Sequence, residues 1–456
     1  MKIKEGKQLS SFTKNDGFFE RKFKLSENNT NVKTEIMAGI TTFMTMAYIL
    51  IVNPLTLSAT GMDFGAVFTA TAVSAIFATL IMALYANLPF ALAPGMGLNA
   101  FFAFSVVLGM GYSWQFALTA VFIEGIIFII LTFFNVREAI INSIPLNLKR
   151  AVSVGIGLFI ALIGLVNAGI IVSGKFHVGD GKLDGLIVKL GDVTSGAPLL
   201  GLIGLLITGV LLARGVKGAL LIGILLSTII GIPMGVTNVE GFKLISAPPS
   251  LTPILFKLDF SNVFSMDMLI VLFTFLFVDM FDTVGTLVGV ATKADMLDEK
   301  GTLPRAKQAL FADAVGTTLG ALLGTSTVTT YVESASGVAE GGRTGLTALS
   351  TAGMFALALL FSPVFIMIPG AATAPALILV GLFMMSPILK IDFDDFTEAI
   401  PAFLAIIMMP LAYSIAEGIV FGMVSYVLLK TLTGKSKEVS PLMYIISILF
   451  VIKFFI

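Results

Sequence analysis

The sequence predicts an all-α polytopic membrane protein of about 14 transmembrane segments. It predicts a 7+7 inverted repeat with one interrupted half-helix span in each half. Three observations carry this. Hydrophobic residues make up 57% of the 456 positions and charged residues only 12%, with mean hydropathy +0.99. That is more apolar surface than a soluble chain of this length can hide. The apolar runs are about 15–25 residues long, which suits helices crossing a roughly 30 Å hydrocarbon core; a β-barrel needs alternating strands of about ten residues. Finally, two polar breaks fall at matching places in the two halves.

Taken in order, the N-terminal MKIKEGKQLSSFTKNDGFFERKFKLSE is polar. It has neither the apolar core nor the small-residue cleavage site of a signal peptide, so the first span is expected to act as its own insertion signal. Apolar segments follow near 34–53, 66–86, 95–110, 114–134, 148–172, 198–213 and 218–234. A second series falls near 267–291, 305–324, 333–346, 347–368, 372–389, 401–415 and 417–432. The last stretch, PLMYIISILFVIKFFI at 441–456, is short for a span, contains Lys453, and reads as an interfacial or peripheral helix. With a cytoplasmic N-terminus, roughly 22 of the 28 Lys and Arg residues fall on the cytoplasmic side, among them Lys149, Arg150, Arg214, Lys217 and Arg305. The positive-inside rule expects that bias. Both termini are therefore expected in the cytoplasm, with the chain in the cell membrane.

Seven spans per half is an odd number, so the halves lie upside down relative to each other, as in many secondary transporters. Such a plan demands matching interruptions. In the first half NLPFALAPGMGLNAFFAF (87–104) brings Pro89, Pro94, Gly95 and Gly97 into an apolar region. In the second, TSTVTTYVESASGV (325–338) brings hydroxyls and Glu333. Asn99 and Glu333 are separated by 333 − 99 = 234 positions, close to the offset between spans one and eight. Each break is expected to enter as a short extended segment and turn into a half-helix. The positive ends of the two half-helices would then meet near the midplane with free N–H groups.

The chemistry concentrates at these breaks and in FVDMFDTVGTLVG (277–289) of span eight. Asp279 and Asp282 lie three residues apart on one side of a helix, and Thr286 follows Asp282 by one turn. Acids within a membrane face a pathway, pair with one another or relay protons. Low dielectric penalises their charged form, which suits groups that bind and release protons. Asp282, Glu333 and Asp279 are the expected proton-coupling groups, with H+ as the coupling ion. Glu124 and Asp313 are also intramembrane acids of less distinctive context, and Glu417 sits at a span end. Carboxylates that accept N–H bonds, an Asn that donates and accepts, and aromatics (Phe101, Phe102, Tyr331, Tyr48) fit a small planar heterocycle. Two acids without a basic partner repel a free anion.

Other classes are excluded or disfavoured. Cys is absent and His177, in the loop GKFHVGDGKLDG, is the only histidine. Thiol chemistry, disulfides and the usual zinc or haem ligand sets therefore drop out, no cofactor is expected, and an enzyme is disfavoured. The formal net charge is zero, so nucleic acid is not an expected partner.

The stretch TTYVESASGV resembles the tenth-span signature of the nucleobase–ascorbate transporter superfamily. TEIMAGITTFMTMAYILIVNP (34–54), APGMGLNAFF (93–102), FVDMFDTVGTL (277–287) and EAIPAFLAIIMMPLAYSIAEGI (398–419) are similar to its AzgA-like branch of adenine–guanine–hypoxanthine permeases. The resemblance spans almost the whole chain. It implies a core domain of spans one to four (34–147) and eight to eleven (266–370), and a gate domain of spans five to seven (148–265) and twelve to fourteen (371–433). Flanking these would be a cytoplasmic segment (1–33) and a C-terminal apolar segment (434–456). It implies proton-coupled import of a purine bound between the broken spans and span eight. Glu333 would accept from the purine N–H edge, Asp282 would be the second essential carboxylate, and Asn99 the polar residue of span three. Ala100, Phe101, Val332 and Thr286 would complete the contacts. Thr286 stands where relatives selective for other bases carry His or Asp, which disfavours the alternatives, xanthine and uracil. An anion carrier of the same inverted fold is the other alternative. The partners expected are a purine nucleobase, the lipid bilayer and, through the gate helices, a second copy of the chain as a homodimer.

Overall fold

The structure, a computed structural model, describes residues 17–134, 145–174, 187–194, 196–293, 296–297 and 303–453. Among the described residues, seven helices are long and apolar enough to cross a membrane. The remaining spans are shorter, broken or carry acids, which is why length and hydropathy alone do not pick them out.

The first half begins with α1 (Val32–Met46) and α2 (Ile49–Ser58), two parts of one span joined at Ala47 and Tyr48. α3 (Phe64–Ile81) is span two. Span three is β1 (Leu92–Pro94) followed by α4 (Met96–Ala100), which continues as a π-helical stretch over Phe101–Gly109. α5 (Trp114–Phe134) and α6 (Leu146–Asn167) are spans four and five. A hairpin of β2 (Ile171–Gly174) and β3 (Ile187–Leu190) leads to α7 (Gly196–Ala213) and α8 (Ala219–Gly231).

The second half repeats the order. α9 (Met266–Lys293) and α10 (Ala306–Leu323) are spans eight and nine. β4 (Val328–Thr330) and α11 (Ser334–Ala339) form the second broken span. α12 (Gly345–Leu360), α13 (Gly370–Met384), α14 (Phe396–Leu411) and α15 (Ile415–Leu432) complete it. Packing sorts the helices into two sets. In one, α12 lies on α1 and α3 while α10 lies on α5; in the other, α13 and α14 lie on α6, α14 on α15, and α7 on α8 and α13.

Helix ends follow local chemistry. Asn31, Asp63, Thr344, Asp395 and Ser414 each accept an N–H in the first turn of the helix that follows, satisfying donors that a helix start leaves without partners. Glu35, buried on α1, is a larger version of the same device. Its carboxylate accepts from the N–H groups of Arg343, Thr344 and Thr347 and from the hydroxyls of Thr344 and Thr347, at 2.6–3.2 Å. One acid in span one thus fastens the start of span eleven. Close approach is also built in at Gly337, where a Cβ would collide with Thr42 and the Ala38 carbonyl. α11 therefore rides directly on the α1 backbone.

Several boundaries move from the sequence expectation. Span one runs on to Ser58, five residues past the expected end, because Pro54 lies within a helix whose neighbours cover it. The segment expected near 333–346 is a six-residue helix preceded by a strand. The segment near 401–415 starts at Phe396, since Asp395 supplies an N-cap upstream of the apolar run. The C-terminal stretch forms α16 (Pro441–Lys453), which leaves Ile445 and Ile448 exposed on one face, as a peripheral helix does. Met443, Ile446 and Phe450 are buried, α16 packs on α15, and Phe450 meets Phe273 of α9 edge-on at 5.4 Å.

Candidate functional site

The two broken spans meet through their strands. β1 and β4 pair antiparallel with Leu92 opposite Thr330, Ala93 opposite Thr329 and Pro94 opposite Val328. The ladder extends through Gly95 N–H to the Thr327 carbonyl and Tyr331 N–H to the Ala91 carbonyl, both at 2.9 Å. Strand edges in a membrane interior leave backbone groups that lipid cannot satisfy. Each edge is closed by a threonine of the preceding span. Thr79 of α3 receives the Leu92 N–H at 3.0 Å and donates to the Leu92 carbonyl at 3.1 Å. Thr317 of α10 does the same for Val328, at 3.2 and 2.9 Å.

This crossing aims both half-helices at one region. α4 begins at Met96 and carries Asn99; α11 begins at Ser334, directly after Glu333. Glu333 is partly buried and accepts through Oε1 from the phenol of Tyr48 at 2.8 Å. Asp282 is also partly buried, lies beside Thr329, and is within electrostatic reach of Glu333 and Asp313. Val332, next to Glu333, is 55% exposed. Thr286, one turn past Asp282, is partly buried too.

Other expected contacts sit deeper. Asn99 is fully buried, its Oδ1 accepting from Ser326 and its amide directed at the Met96 sulfur. The Phe101 ring is fully buried edge-on against Phe275 at 4.8 Å, and Ala100 is buried beside it. His177 lies outside the described residues.

Asp279 belongs to a buried cluster next to Asp282 in sequence and linked to it through span eight. The Thr283 hydroxyl is 3.1 Å from Asp279 Oδ1, 2.9 Å from Asp313 Oδ1 and 2.7 Å from the Thr329 hydroxyl, all four residues being buried. Thr329 in turn lies beside Asp282. A hydroxyl has one proton and two acceptor positions. Three oxygen–oxygen contacts thus draw on two hydroxyl protons, those of Thr283 and Thr329. Asp282 lies within electrostatic reach of Asp313 in this cluster. Glu124 is placed next to the second break as well, accepting from Thr327 at 2.6 Å. The parts that sequence reasoning missed are hydroxyls: Thr79, Thr283, Thr317, Ser326, Thr327 and Thr329. The density of Thr and Ser in TSTVTT was the available signal.

A pair of inverted repeats crossing through two broken, half-helical spans, with acids at the crossing, defines a membrane carrier of the inverted-repeat type. The Permease family model matches residues 33–421, and the chain belongs to this family, that of the nucleobase–ascorbate transporters. Guanine/hypoxanthine permease PbuG of Bacillus subtilis is 47% identical over 443 residues, covering 95% of this chain and 98% of its own. Adenine permease AdeP of Escherichia coli is 44% identical over 446 residues, covering 98% of each. The transmembrane domain of a cyanobacterium bicarbonate transporter, BicA, has the same fold at TM-score 0.63 and 17% identity, covering 86% of this chain and 97% of that one.

Proposed function

We propose that the chain is a secondary active transporter importing purine nucleobases (adenine, guanine, hypoxanthine) across the cell membrane by proton symport, with both termini in the cytoplasm. The observation that carries this reading is Glu333, held at a half-helix start and opposite Asp282, in a chain whose relatives are adenine and guanine/hypoxanthine permeases. The purine lies between α4, α11 and α9. Its N–H edge faces Glu333, its remaining polar atoms face the half-helix amides and Asp282, and Thr286, Ala100, Phe101 and Val332 shape the opening. Asn99 holds Ser326 and thereby the crossing.

Protons enter at Asp282 and are stored on the acids bridged by Thr283. Purine and proton favour each other when neutralising that cluster lowers the repulsion felt by Glu333. Spans one to four and eight to eleven move as a core against a gate of spans five to seven and twelve to fourteen, exposing the site to each side in turn. The exposed gate helices are the surface for a homodimer. The bicarbonate transporter of like fold raises an anion as the alternative cargo; the acids at this crossing oppose it. Radiolabelled hypoxanthine and adenine uptake in cells lacking purine transport tests the proposal, with sulfate, bicarbonate and dicarboxylates as competitors. Purine competition supports it, and competition by anions alone overturns it.

A further inference from the structure

The geometry points to Tyr48 as a positioning residue that keeps Glu333 a hydrogen-bond acceptor for the solute and sends the coupling proton elsewhere; this rests on the purine reading above. Tyr48 lies at the joint of span one, between the end of α1 at Met46 and the start of α2 at Ile49. Its ring is 2% exposed and its hydroxyl donates to Glu333 Oε1 at 2.8 Å. The joint does not wander. Gly337 lets α11 sit against Ala38 and Thr42 of α1, and the Thr45 hydroxyl lies 3.4 Å from the Glu333 carbonyl. Span one therefore grips Glu333 by backbone and carboxylate together, across the two repeats.

A phenol has one proton to donate. With that proton on Oε1, a proton taken up by Glu333 would sit on Oε2, the oxygen left for the solute. There it would take up an acceptor position that a purine N–H uses. Proton and purine thus compete at Glu333, whereas the Thr283 cluster has one oxygen contact more than its two hydroxyl protons serve. The two halves of the site divide the work: the tenth span reads the solute and the eighth and ninth hold the proton.

The test is a double-mutant cycle on hypoxanthine affinity, read by ligand-dependent thermal shift of the purified full-length protein in detergent. Tyr48→Phe keeps the ring and removes the donor, and is expected to weaken binding about tenfold, in line with loss of a hydrogen bond to a charged group. Glu333→Asp shortens the carboxylate out of reach of Tyr48. In that background Tyr48→Phe is expected to change affinity less than twofold, because the coupling energy of a contact is lost once either partner is gone. Tyr331→Phe removes another buried hydroxyl, one that bonds the Pro94 carbonyl at 2.5 Å, and its effect is expected to multiply with that of Glu333→Asp. Wild-type affinity in Tyr48→Phe, or effects of Tyr48→Phe and Glu333→Asp that multiply, overturns the inference while leaving the purine reading intact. A wild-type protein that binds no purine overturns the reading itself. If Tyr48→Phe does not accumulate in membranes, Glu333→Asp alone decides: hypoxanthine binding that weakens less than threefold overturns the inference.

Discussion

Thr79 and Thr317 do the same job in opposite halves of the molecule: each hydroxyl clasps both the N–H and the C=O of one strand residue, Leu92 or Val328. The pair is a repeat relationship at the level of single hydrogen bonds. Replacing Thr317 by Val keeps the shape and leaves two backbone groups buried without partners, a cost of about 1–3 kcal/mol each before relaxation. We expect Thr79→Val and Thr317→Val each to lower the melting temperature in detergent by several degrees. Their double mutant is expected to lose less than the sum, because both act on one strand pair. Equal stability of Thr317→Val and wild type would contradict this.

Thr329 bonds Thr283 and lies beside Asp282, between that acid and the buried cluster. Thr329→Val is expected to leave hypoxanthine binding within about threefold while abolishing accumulation driven by an inward proton gradient. Asp313→Asn is expected to behave alike. Uptake against a gradient at the wild-type rate in both variants would remove the cluster from the mechanism.

Glu35 carries a prediction about stability alone. Five donors converge on this one buried carboxylate. Glu35→Ala strands them at a helix start, and a loss of about 3–5 kcal/mol is expected from breaking a buried charged network. The measured sign is a sharp fall in melting temperature and in membrane abundance, with less damage in Glu35→Gln, which retains an acceptor.

Outside the membrane, Asp395 caps α14 and accepts from Lys435 at 2.7 Å. The Lys435 hydrogen bond, aided by Thr397, holds its carboxyl well below the usual carboxylate range. A depressed folded value means stability that is present above the unfolded value of about 3.9 and lost as pH falls through the folded one. Asp395→Asn keeps the cap and removes the charge. The melting-temperature gap to wild type is expected to be constant from pH 7 to 5 and to narrow only below about pH 4. A gap that closes between pH 7 and 5 would assign the effect to another group.

Much of this architecture was legible in the residues. Span number and inversion followed from apolar run length, basic-residue bias and two matched breaks, because each is set by the bilayer rather than by neighbouring side chains. Glu333 and Asp282 were legible for the same reason, since an acid in a span stands out. Pairing between β1 and β4 was not, because strands this short have no periodicity to read. Hydroxyls such as Thr283 were equally silent: a Thr in an apolar helix usually bonds its own backbone, and only the fold shows which ones reach across. The helix at the C-terminal end was legible as a peripheral one, but which face it buries, that of Met443, Ile446 and Phe450, depends on the grooves they meet.

The most direct measurement is proton-gradient-driven uptake of radiolabelled hypoxanthine in cells lacking purine transport, comparing wild type with Glu333→Gln and Asp282→Asn at matched membrane abundance. The account predicts concentrative uptake by wild type, collapsed by a protonophore, and a loss of at least about tenfold in each variant, the scale of one charge-assisted contact. Full uptake by both variants would contradict it.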